Sequence, residues 1–223
     1  MKKLISVKEA AALVKDGMTI MVGGFLAAGS ANNILEAIAE GPAKDLTIIC
    51  NDAGYADKEA SKGRGLGCGI LVAKGKVKKL IASHIGTNPK AVEGLNTGAL
   101  EIEFAPQGTL AERIRVGGAG LGGVLTPTGI GTEIEIGKEK ITVDGKEYLL
   151  EKPLHADLAL LGANIADEDG NLIYMGTTQN FNPMMATAAD VVIAEAQQIV
   201  PAGKIEKERV HTPALFVDYL VQA

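Results

Sequence analysis

Short, nearly continuous aliphatic runs alternate along the chain with segments of helical periodicity, and few folds accommodate this alternation. Residues 19–22 and 46–50 have the composition of buried strands, and residues 30–40 between them carry apolar side chains at helical spacing. Further helices are predicted over 6–16, where Ser6 and Glu9 form a capping box, and over 88–96. The strand pattern returns at residues 79–83, 100–105, 157–161 and 190–194. We therefore predict an α/β fold with a mainly parallel open sheet and helices on both faces, a Rossmann-like three-layer arrangement.

The pattern changes beyond residue 132. Residues 140–149 read as two short strands around Asp144-Gly145, a dipeptide that favours a two-residue hairpin turn. We therefore predict a β-hairpin inserted at about residues 132–152. No linker, low-complexity segment or internal repeat separates the parts, so residues 1–223 are predicted to form a single domain.

Charge and composition exclude several functional classes. The formal net charge of −5 argues against a nucleic-acid-binding protein, which would present a basic face. The two cysteines, Cys50 and Cys68, form no CxxC motif and are expected to be free thiols. Charged residues interrupt the N-terminal region, and no signal peptide or membrane span is predicted there. The expected location is the cytoplasm.

The first of two glycine-rich segments, residues 22–30, follows the predicted strand at 19–22. Gly24 and Gly29 have the spacing of a P-loop, but Ser30-Ala31 replaces the Lys-Ser/Thr pair that contacts nucleotide phosphates. A Walker motif is therefore excluded. The segment leads into a helix beginning near Ser30, whose free N–H groups could face a phosphate or a carbonyl oxygen. A tight structural turn and a ligand-binding loop both remain open.

The second glycine-rich segment, residues 117–123, contains a GxGxxG pattern at Gly118, Gly120 and Gly123. A dinucleotide-binding fingerprint would open a helix at that point. Here a capping box from Thr109 to Glu112 is expected to open a helix before the glycines instead. The segment is therefore interpreted as a mobile or closely packed loop.

Polar side chains follow three of the predicted strands. Gln107 lies between a strand and a helix, where its neutral N–H donors would suit a carbonyl oxygen that becomes negative. Asn51-Asp52 and Ser83-His84 follow two further strands. Because open α/β sheets place ligand sites at the carboxyl ends of their strands, these side chains are candidate substrate contacts. Ordinary turn residues and polar caps are the alternatives.

Other catalytic chemistries have little support. His84, His155 and His211 are far apart in the sequence and lack metal-ligand spacing, so no metal site is predicted. The sequence contains no GxSxG nucleophile elbow, and no acidic residue stands out as a nucleophile.

Six motifs occur in a fixed order. They are GGF at 23–25, SHIGTNP at 83–89, PQGTLAERIR at 106–115, GGAGLGG at 117–123, LTPTG at 125–129 and GTTQNFNP at 176–183. Each motif alone is weak, but the ordered set is specific and extends over nearly the whole chain. Together they resemble the α (A) subunits of the class I, 3-oxoacid type CoA-transferases, in particular those of the bacterial acetate/butyrate:acetoacetate enzymes.

The resemblance implies a ping-pong transfer. A glutamate carboxylate attacks an acyl-CoA thioester, a mixed anhydride forms, and CoA is held as an enzyme thioester before it passes to the second acid. In this family the glutamate lies on the β subunit, so a β partner and an α2β2 assembly are expected, and no nucleophile is required of this chain. Coenzyme A is then a substrate, and no permanently bound cofactor is expected.

The resemblance also implies roles for particular residues. The oxyanion-hole glutamine of the family matches Gln107. The residues expected to contact CoA or the acyl substrate are Gly23, Gly24, Phe25, Leu26, Ala27, Ala28, Gly29, Asn51 and Asp52. Two positions depart from the family pattern, since Ala31 stands where a proline is usual and Gln179 where a basic residue is usual. These departures bear on the CoA or acyl preference.

Two other functions remain as alternatives. Sugar-phosphate isomerases and deaminases of related fold also bind phosphate with glycine loops and helix N-termini, but a complete acid/base set is not found in this sequence. A non-catalytic domain that senses acyl-CoA or sugar phosphate would usually be fused to a DNA-binding segment, and the sequence shows no such pattern.

Overall fold

The computed structural model describes residues 2–223. Its strands are β1 (Lys3–Leu4), β2 (Thr19–Val22), β3 (Leu46–Ile49), β4 (Val77–Ala82), β5 (Glu101–Phe104), β6 (Val124–Thr126), β7 (Lys140–Val143), β8 (Lys146–Glu151), β9 (Ala156–Asp167), β10 (Leu172–Ile173), β11 (Ala189–Val200) and β12 (Tyr219–Gln222). Its helices are α1 (Val7–Ala12), α2 (Asn32–Glu40), α3 (Lys58–Ser61), α4 (Gly69–Ala73), α5 (Pro89–Thr97), α6 (Gln107–Gly118) and α7 (Asn182–Met185). Within residues 2–223, no helix has the length and apolar character needed to cross a bilayer.

Nine strands form one sheet, along which the order is β1-β12-β11-β9-β2-β3-β4-β5. Every neighbouring pair in this order is parallel, and β10 adds one antiparallel pairing to β9. The predicted mainly parallel open sheet is therefore confirmed. Two strands exceed the predicted lengths, because β9 and β11 stay paired from Ala156 opposite Ala189 to Asp167 opposite Val200.

The two faces of the sheet are covered by different helices. Ile20 and Val22 of β2 belong to a buried cluster that includes side chains of α1, α2, α4 and α5. Met21, which lies between them, belongs to a second cluster that includes side chains of α6 and α7. Because successive side chains of a strand point to opposite faces, these clusters lie on the two sides of the sheet. Helices on both faces, and hence three layers, are confirmed.

The inserted hairpin is present but is part of a larger unit than predicted. Strands β7 and β8 pair through a turn at Asp144 and Gly145, whose φ angles of 49° and 74° are those of a type I′ turn. Strand β6 pairs with the other side of β8, which makes a three-stranded antiparallel sheet. The insertion therefore begins at Val124 and not at about residue 132. A three-residue strand ahead of a proline carries too little pattern to be recognised from sequence.

Helix α6 begins two residues earlier than predicted. Its first residue is Gln107, its N-cap is Pro106, and no side chain caps its first turn. The predicted capping box at Thr109 is therefore wrong, because Thr109 lies inside the helix and is buried. The helix also includes Gly117 and Gly118. A Cβ at Gly117 would lie 1.9 Å from the Leu154 carbonyl oxygen, so close packing explains a glycine there.

Candidate active site

The polar side chains singled out by sequence lie along one edge of the main sheet. Strands β2, β3, β4 and β5 are consecutive and parallel, so their carboxyl ends meet at this edge. The glycine loop (residues 23–29) follows β2, Asn51-Asp52 follows β3, Ser83-His84 follows β4, and Gln107 begins the helix after β5. This is the edge at which open parallel sheets bind ligands.

A chain of hydrogen bonds joins three of the predicted site residues to the glycine loop. The Gln107 Nε2 donates to Asn51 Oδ1 at 2.7 Å, and Asn51 Nδ2 donates to Asp52 Oδ2 at 2.7 Å. The same Asp52 oxygen accepts from the Leu26 N–H at 2.9 Å, while Oδ1 accepts from the Gly54 N–H at 2.8 Å. The structure thus brings together residues that the sequence places on three separate segments.

This chain of hydrogen bonds also orients the side-chain amides. An ionised Asp52 carboxylate can only accept, so it holds the NH2 group of Asn51 towards itself and leaves the Asn51 oxygen facing Gln107. Gln107 must then present its own NH2 group to Asn51. Asn51 and Asp52 are buried, at 3% and 5% exposed, whereas Gln107 is exposed. The buried pair therefore fixes the direction of an amide that remains accessible to a substrate.

The residues after β4 hold the backbone of the turn that carries Asn51 and Asp52. The Ser83 hydroxyl donates to the Asn51 carbonyl oxygen at 2.7 Å, and the Ser83 N–H donates to the same oxygen at 3.0 Å. The His84 carbonyl accepts from the Ala53 N–H at 3.0 Å, while the residue is exposed. Ser83 therefore holds the turn that carries Asn51. No set of three or more His, Cys, Asp or Glu side chains in residues 2–223 is placed to bind a metal ion.

The glycine loop contains a strained two-residue turn. Phe25 and Ala28 exchange N–H to carbonyl bonds of 3.0 Å in both directions. The two residues between them, Leu26 and Ala27, have φ angles of 47° and 67°. A type I′ turn of this kind normally contains Asn, Asp or Gly, and left-handed residues of other types cost roughly 1–3 kcal/mol each. Such strain persists only where neighbouring contacts impose it.

Two backbone donors of the glycine loop are unused. Among the described residues, the N–H groups of Ala27 and Gly29 have no acceptor. Both residues line a cavity of about 280 Å³, together with the exposed Arg64. The cavity also touches Gly162 and Glu195, and so lies on the β9 and β11 side of the loop, whereas Gln107 lies on the β5 side.

The N-terminus of α2 is occupied by the protein itself. Glu195 of β11 accepts from the Asn33 N–H at 3.2 Å and from the Ile34 N–H at 2.9 Å. The helix N–H groups that could have faced a phosphate or carbonyl oxygen are therefore partly taken, and those of Asn33 and Ile34 are bound within the protein. Ala31, the N-cap, supplies no side-chain bond, so Glu195 acts in its place. A cap contributed from about 160 residues away leaves no local sequence signal.

Glu195 gives a testable link between pH and stability. Burial raises the pKa of this carboxyl, although the Ile34 and Asn33 N–H groups oppose the rise. The raised pKa therefore adds a pH-dependent part to the stability, which is complete below the unfolded pKa of about 4.3 and is lost as pH rises through the native pKa, while the hydrogen bonds to Asn33 and Ile34 remain. Glu195→Gln, which cannot ionise, should flatten this part of the pH profile. Glu195→Ala should lower the free energy of unfolding by about 0.5 to 2 kcal/mol at neutral pH, because the helix loses its cap.

The measurement is urea unfolding at pH values from 4 to 8, with Glu208→Gln, an exposed carboxyl away from α2, as the control. A parallel pH profile for wild type and Glu195→Gln would contradict the assignment.

Cys50 and Cys68 lie beneath the glycine loop. Their sulfur atoms are 3.4 Å apart, and both thiols donate to the Asp52 carbonyl oxygen, at 2.9 and 3.1 Å. They are free thiols, as predicted, and both are 3% exposed. With Gly23 and Gly24 they line a cavity of about 10 Å³, which is room for about one water molecule.

These thiols are expected to be unreactive in the folded protein. The hydrogen bond with Cys68, followed by burial, raises the pKa of the Cys50 thiol, so the nucleophilic thiolate is scarce at neutral pH. A chromogenic disulfide reagent should label both cysteines only after guanidinium denaturation. Rapid labelling of the native protein would show that the loop opens far enough to expose them.

A family model described as Coenzyme A transferase matches residues 4–223. The chain belongs to the coenzyme A transferase family. The chain is 50% identical over 220 residues to the Clostridium acetobutylicum protein named acetoacetyl-CoA:acetate/butyrate CoA transferase alpha subunit, and the match covers 99% of this chain and 97% of that one. It is 45% identical over 219 residues to the Escherichia coli acetate CoA-transferase subunit alpha, covering 98% and 96%. The predicted family and enzyme class are confirmed.

A solved structure confirms the fold of the chain. It is an acyl-CoA transferase from Escherichia coli O157:H7 in a thioester complex with CoA, with a TM-score of 0.81 at 22% identity. The match covers 100% of this chain and 47% of that one, so the chain spans about half the length of that transferase.

Glu195 was not predicted as a site residue from the sequence. Asn180 and Asn182, whose side chains bond the glycine loop, were not predicted either. Both asparagines belong to the GTTQNFNP motif at 176–183, which was available as a signal but carried no assigned role.

Proposed function

We propose that this coenzyme A transferase chain is the α subunit of an enzyme that moves CoA between a short-chain acyl-CoA or acetoacetyl-CoA and a free carboxylic acid such as acetate, butyrate or acetoacetate. The observation that carries the proposal is the exposed Gln107 amide, oriented by buried Asn51 and Asp52 beside a strained glycine loop. The names of the relatives, which specify acetate, butyrate and acetoacetyl-CoA, support the substrate class.

The nucleophile is proposed to come from a β subunit. Among the carboxylates around the glycine loop, Asp52 already accepts from Leu26, Gly54 and the Asn51 amide. Glu195 is bound to two N–H groups of α2. Neither is free to attack a thioester. A glutamate supplied by the partner would complete the site, and the relatives are themselves named alpha subunits. An α2β2 assembly in the cytoplasm is proposed on the same basis.

In the proposed reaction, the partner's glutamate carboxylate attacks the thioester carbonyl carbon. The carbonyl oxygen becomes an oxyanion, and the thiolate of CoA leaves as a mixed anhydride forms. The thiolate then attacks the glutamyl carbonyl, which releases the first acid and leaves CoA bound as a glutamyl thioester. The second acid reverses these steps. Gln107 donates its free Nε2 hydrogen to the oxyanion, and because the amide is neutral and already oriented, little reorganisation is needed.

The two flanks of the glycine loop are proposed to serve different parts of the substrate. Gln107 serves the reacting carbonyl, and the cavity lined by Ala27 and Gly29, whose N–H groups are unpaired among the described residues, receives another portion of acyl-CoA. Arg64, at the rim of that cavity, supplies positive charge that suits the anionic CoA. The overall charge of −5 makes such a local arrangement necessary. CoA remains a substrate in this proposal and is not a resident cofactor.

The occupied N-terminus of α2 counts against the sugar-phosphate alternative. Two of the N–H groups that would bind a phosphate there already bind the Glu195 carboxylate.

Transfer of CoA from acetoacetyl-CoA to acetate, measured with and without a co-expressed β subunit, tests the proposal. We expect activity only in the mixture, because the nucleophile lies on the partner. Full activity of this chain alone would place the nucleophile here and overturn the split site. No transfer with any of acetate, butyrate or acetoacetate as acceptor would overturn the proposed substrate class.

A further inference from the structure

The Asn180 side chain forms hydrogen bonds with two residues of the glycine loop, Gly24 and Ala28. Its Oδ1 accepts from the Gly24 N–H at 3.0 Å, and its Nδ2 donates to the Ala28 carbonyl oxygen at 2.9 Å. Gly24 and Ala28 flank the strained turn at Leu26 and Ala27. One side chain therefore bonds the loop just before and just after the residues whose backbone is least favourable.

Asn180 is itself held firmly in place. Its Nδ2 also donates to the Thr177 carbonyl oxygen at 2.8 Å, and its Oδ1 also accepts from the Phe181 N–H at 2.7 Å. Its own φ angle is 23°, a positive value that asparagine tolerates better than most residues. Hydrogen bonds to Thr177 and Phe181 thus fix the Asn180 amide independently of its bonds to the glycine loop.

Asn182 holds the end of the same loop. It is fully buried, and its Nδ2 donates to the carbonyl oxygens of Gly29 at 2.9 Å and Thr178 at 2.8 Å. Its Oδ1 is a buried polar atom with no hydrogen-bond partner among residues 2–223. That oxygen lies 1.8 Å from the place a Cβ would take at Gly23, so it faces the Gly23 Cα–H and makes a weak contact with it. Asn182 thus also explains why residue 23 is glycine.

We infer that Asn180 is a positioning residue for the proposed CoA transfer. By fixing Gly24 and Ala28, its amide holds the turn in the shape that directs the free Ala27 and Gly29 N–H groups into the cavity, where they meet the acyl-CoA. The inference rests on the proposed function.

The side chain at 180 must be a short amide. It has to accept at Gly24 and donate at Ala28 at the same time, which neither a carboxylate nor an aliphatic side chain can do. Without it, Leu26 and Ala27 can relax towards negative φ, and the donors no longer converge on the substrate.

The test uses the assembled α and β subunits with three variants. Asn180→Ala removes both bonds to the loop, and Asn180→Asp keeps an acceptor but replaces the donor with an oxygen that repels the Ala28 carbonyl. Asn96→Ala is the matched control, because Asn96 is exposed on α5 and makes no side-chain hydrogen bond within the described structure. The readout is kcat and KM for acetoacetyl-CoA, together with KM for acetate.

We expect Asn180→Ala to raise KM for acetoacetyl-CoA about tenfold, the effect of one or two lost hydrogen bonds, with a smaller change in kcat. Asn180→Asp should raise it at least as much, and Asn96→Ala should behave as wild type. A purely structural role would lower kcat through the fraction of folded enzyme and leave KM unchanged, and that result would overturn the inference. A wild-type KM for Asn180→Asp would also overturn it. Absence of transfer by the wild-type assembly would instead contradict the proposed function on which the inference rests.

Discussion

Gln107→Ala, assembled with the β subunit, is expected to lower kcat for CoA transfer by about 10²- to 10³-fold, the usual effect of losing one oxyanion donor. The reason is that Gln107 is the exposed end of a chain of side-chain hydrogen bonds. Buried Asn51 and Asp52 set the orientation of its amide group. The measurement is steady-state transfer from acetoacetyl-CoA to acetate at saturating concentrations of both substrates. KM for either substrate should change much less than kcat, because the donor acts on charge that develops in the transition state.

Gln107→Glu separates a catalytic role from a structural one. Position 107 is the first residue of α6, where a negative side chain interacts favourably with the helix dipole, by about 0.3–1 kcal/mol. The variant should therefore fold at least as well as Gln107→Ala, yet place a negative charge where the oxyanion forms. Wild-type turnover in either variant would remove Gln107 from the proposed mechanism.

Gly162→Ala is the second substitution with a large expected effect. Gly162 lies in β9 directly beneath the glycine loop, and a Cβ there would stand 2.6 Å from the carbonyl carbon and oxygen of Gly29. These are backbone atoms, and the Gly162 N–H itself donates to the Gly29 carbonyl at 3.1 Å, so the loop must shift to make room. We expect the free energy of unfolding to fall by about 1–3 kcal/mol, as in other overpacked sites.

The effect of Gly162→Ala on activity should exceed its effect on stability. A displacement of about 1 Å at a positioned group can cost about 10²-fold in rate. Gly122→Ala is the matched control, because no atom lies within 4 Å of its new Cβ and its φ is not positive. Urea unfolding and the transfer assay should be run on both variants. Equal stability and equal transfer activity of the two variants would show that the loop accommodates the added methyl group, and would contradict the prediction.

Features that depend on a short stretch of neighbouring residues could be predicted from the sequence. The strand ends that carry Asn51, Ser83 and Gln107 follow from aliphatic runs, and parallel pairing then brings them to one edge. The Ser6 capping box and the Asp144-Gly145 turn are local patterns and are confirmed. The start of α6 was wrong because Thr109 matches a capping pattern although it is buried inside the first turn.

Contacts across long sequence separations could not be predicted. Glu195 caps a helix that lies 161 residues earlier, and Asn180 bonds a loop residue 156 positions away. Neither residue differs in type from an ordinary surface side chain, and only the packing of β9, β11 and the segment before α7 brings them to their partners. The hydrogen bond from Gln107 to Asn51 is also a contact between distant parts of the sequence. Both residues were predicted as site residues, but their contact was not predicted.

The order of strands in the main sheet determines where the glycine loop lies. From β2 the chain proceeds outward to β3, β4 and β5, whereas from β9 it proceeds the other way to β11 and β12. Crossover connections therefore diverge at the boundary between β2 and β9, the place where open α/β sheets form a crevice, and the segment with Asn180 and Asn182 packs against the glycine loop there. The unpaired donors are set in place before any substrate arrives, so preorganisation is a property of the resting subunit.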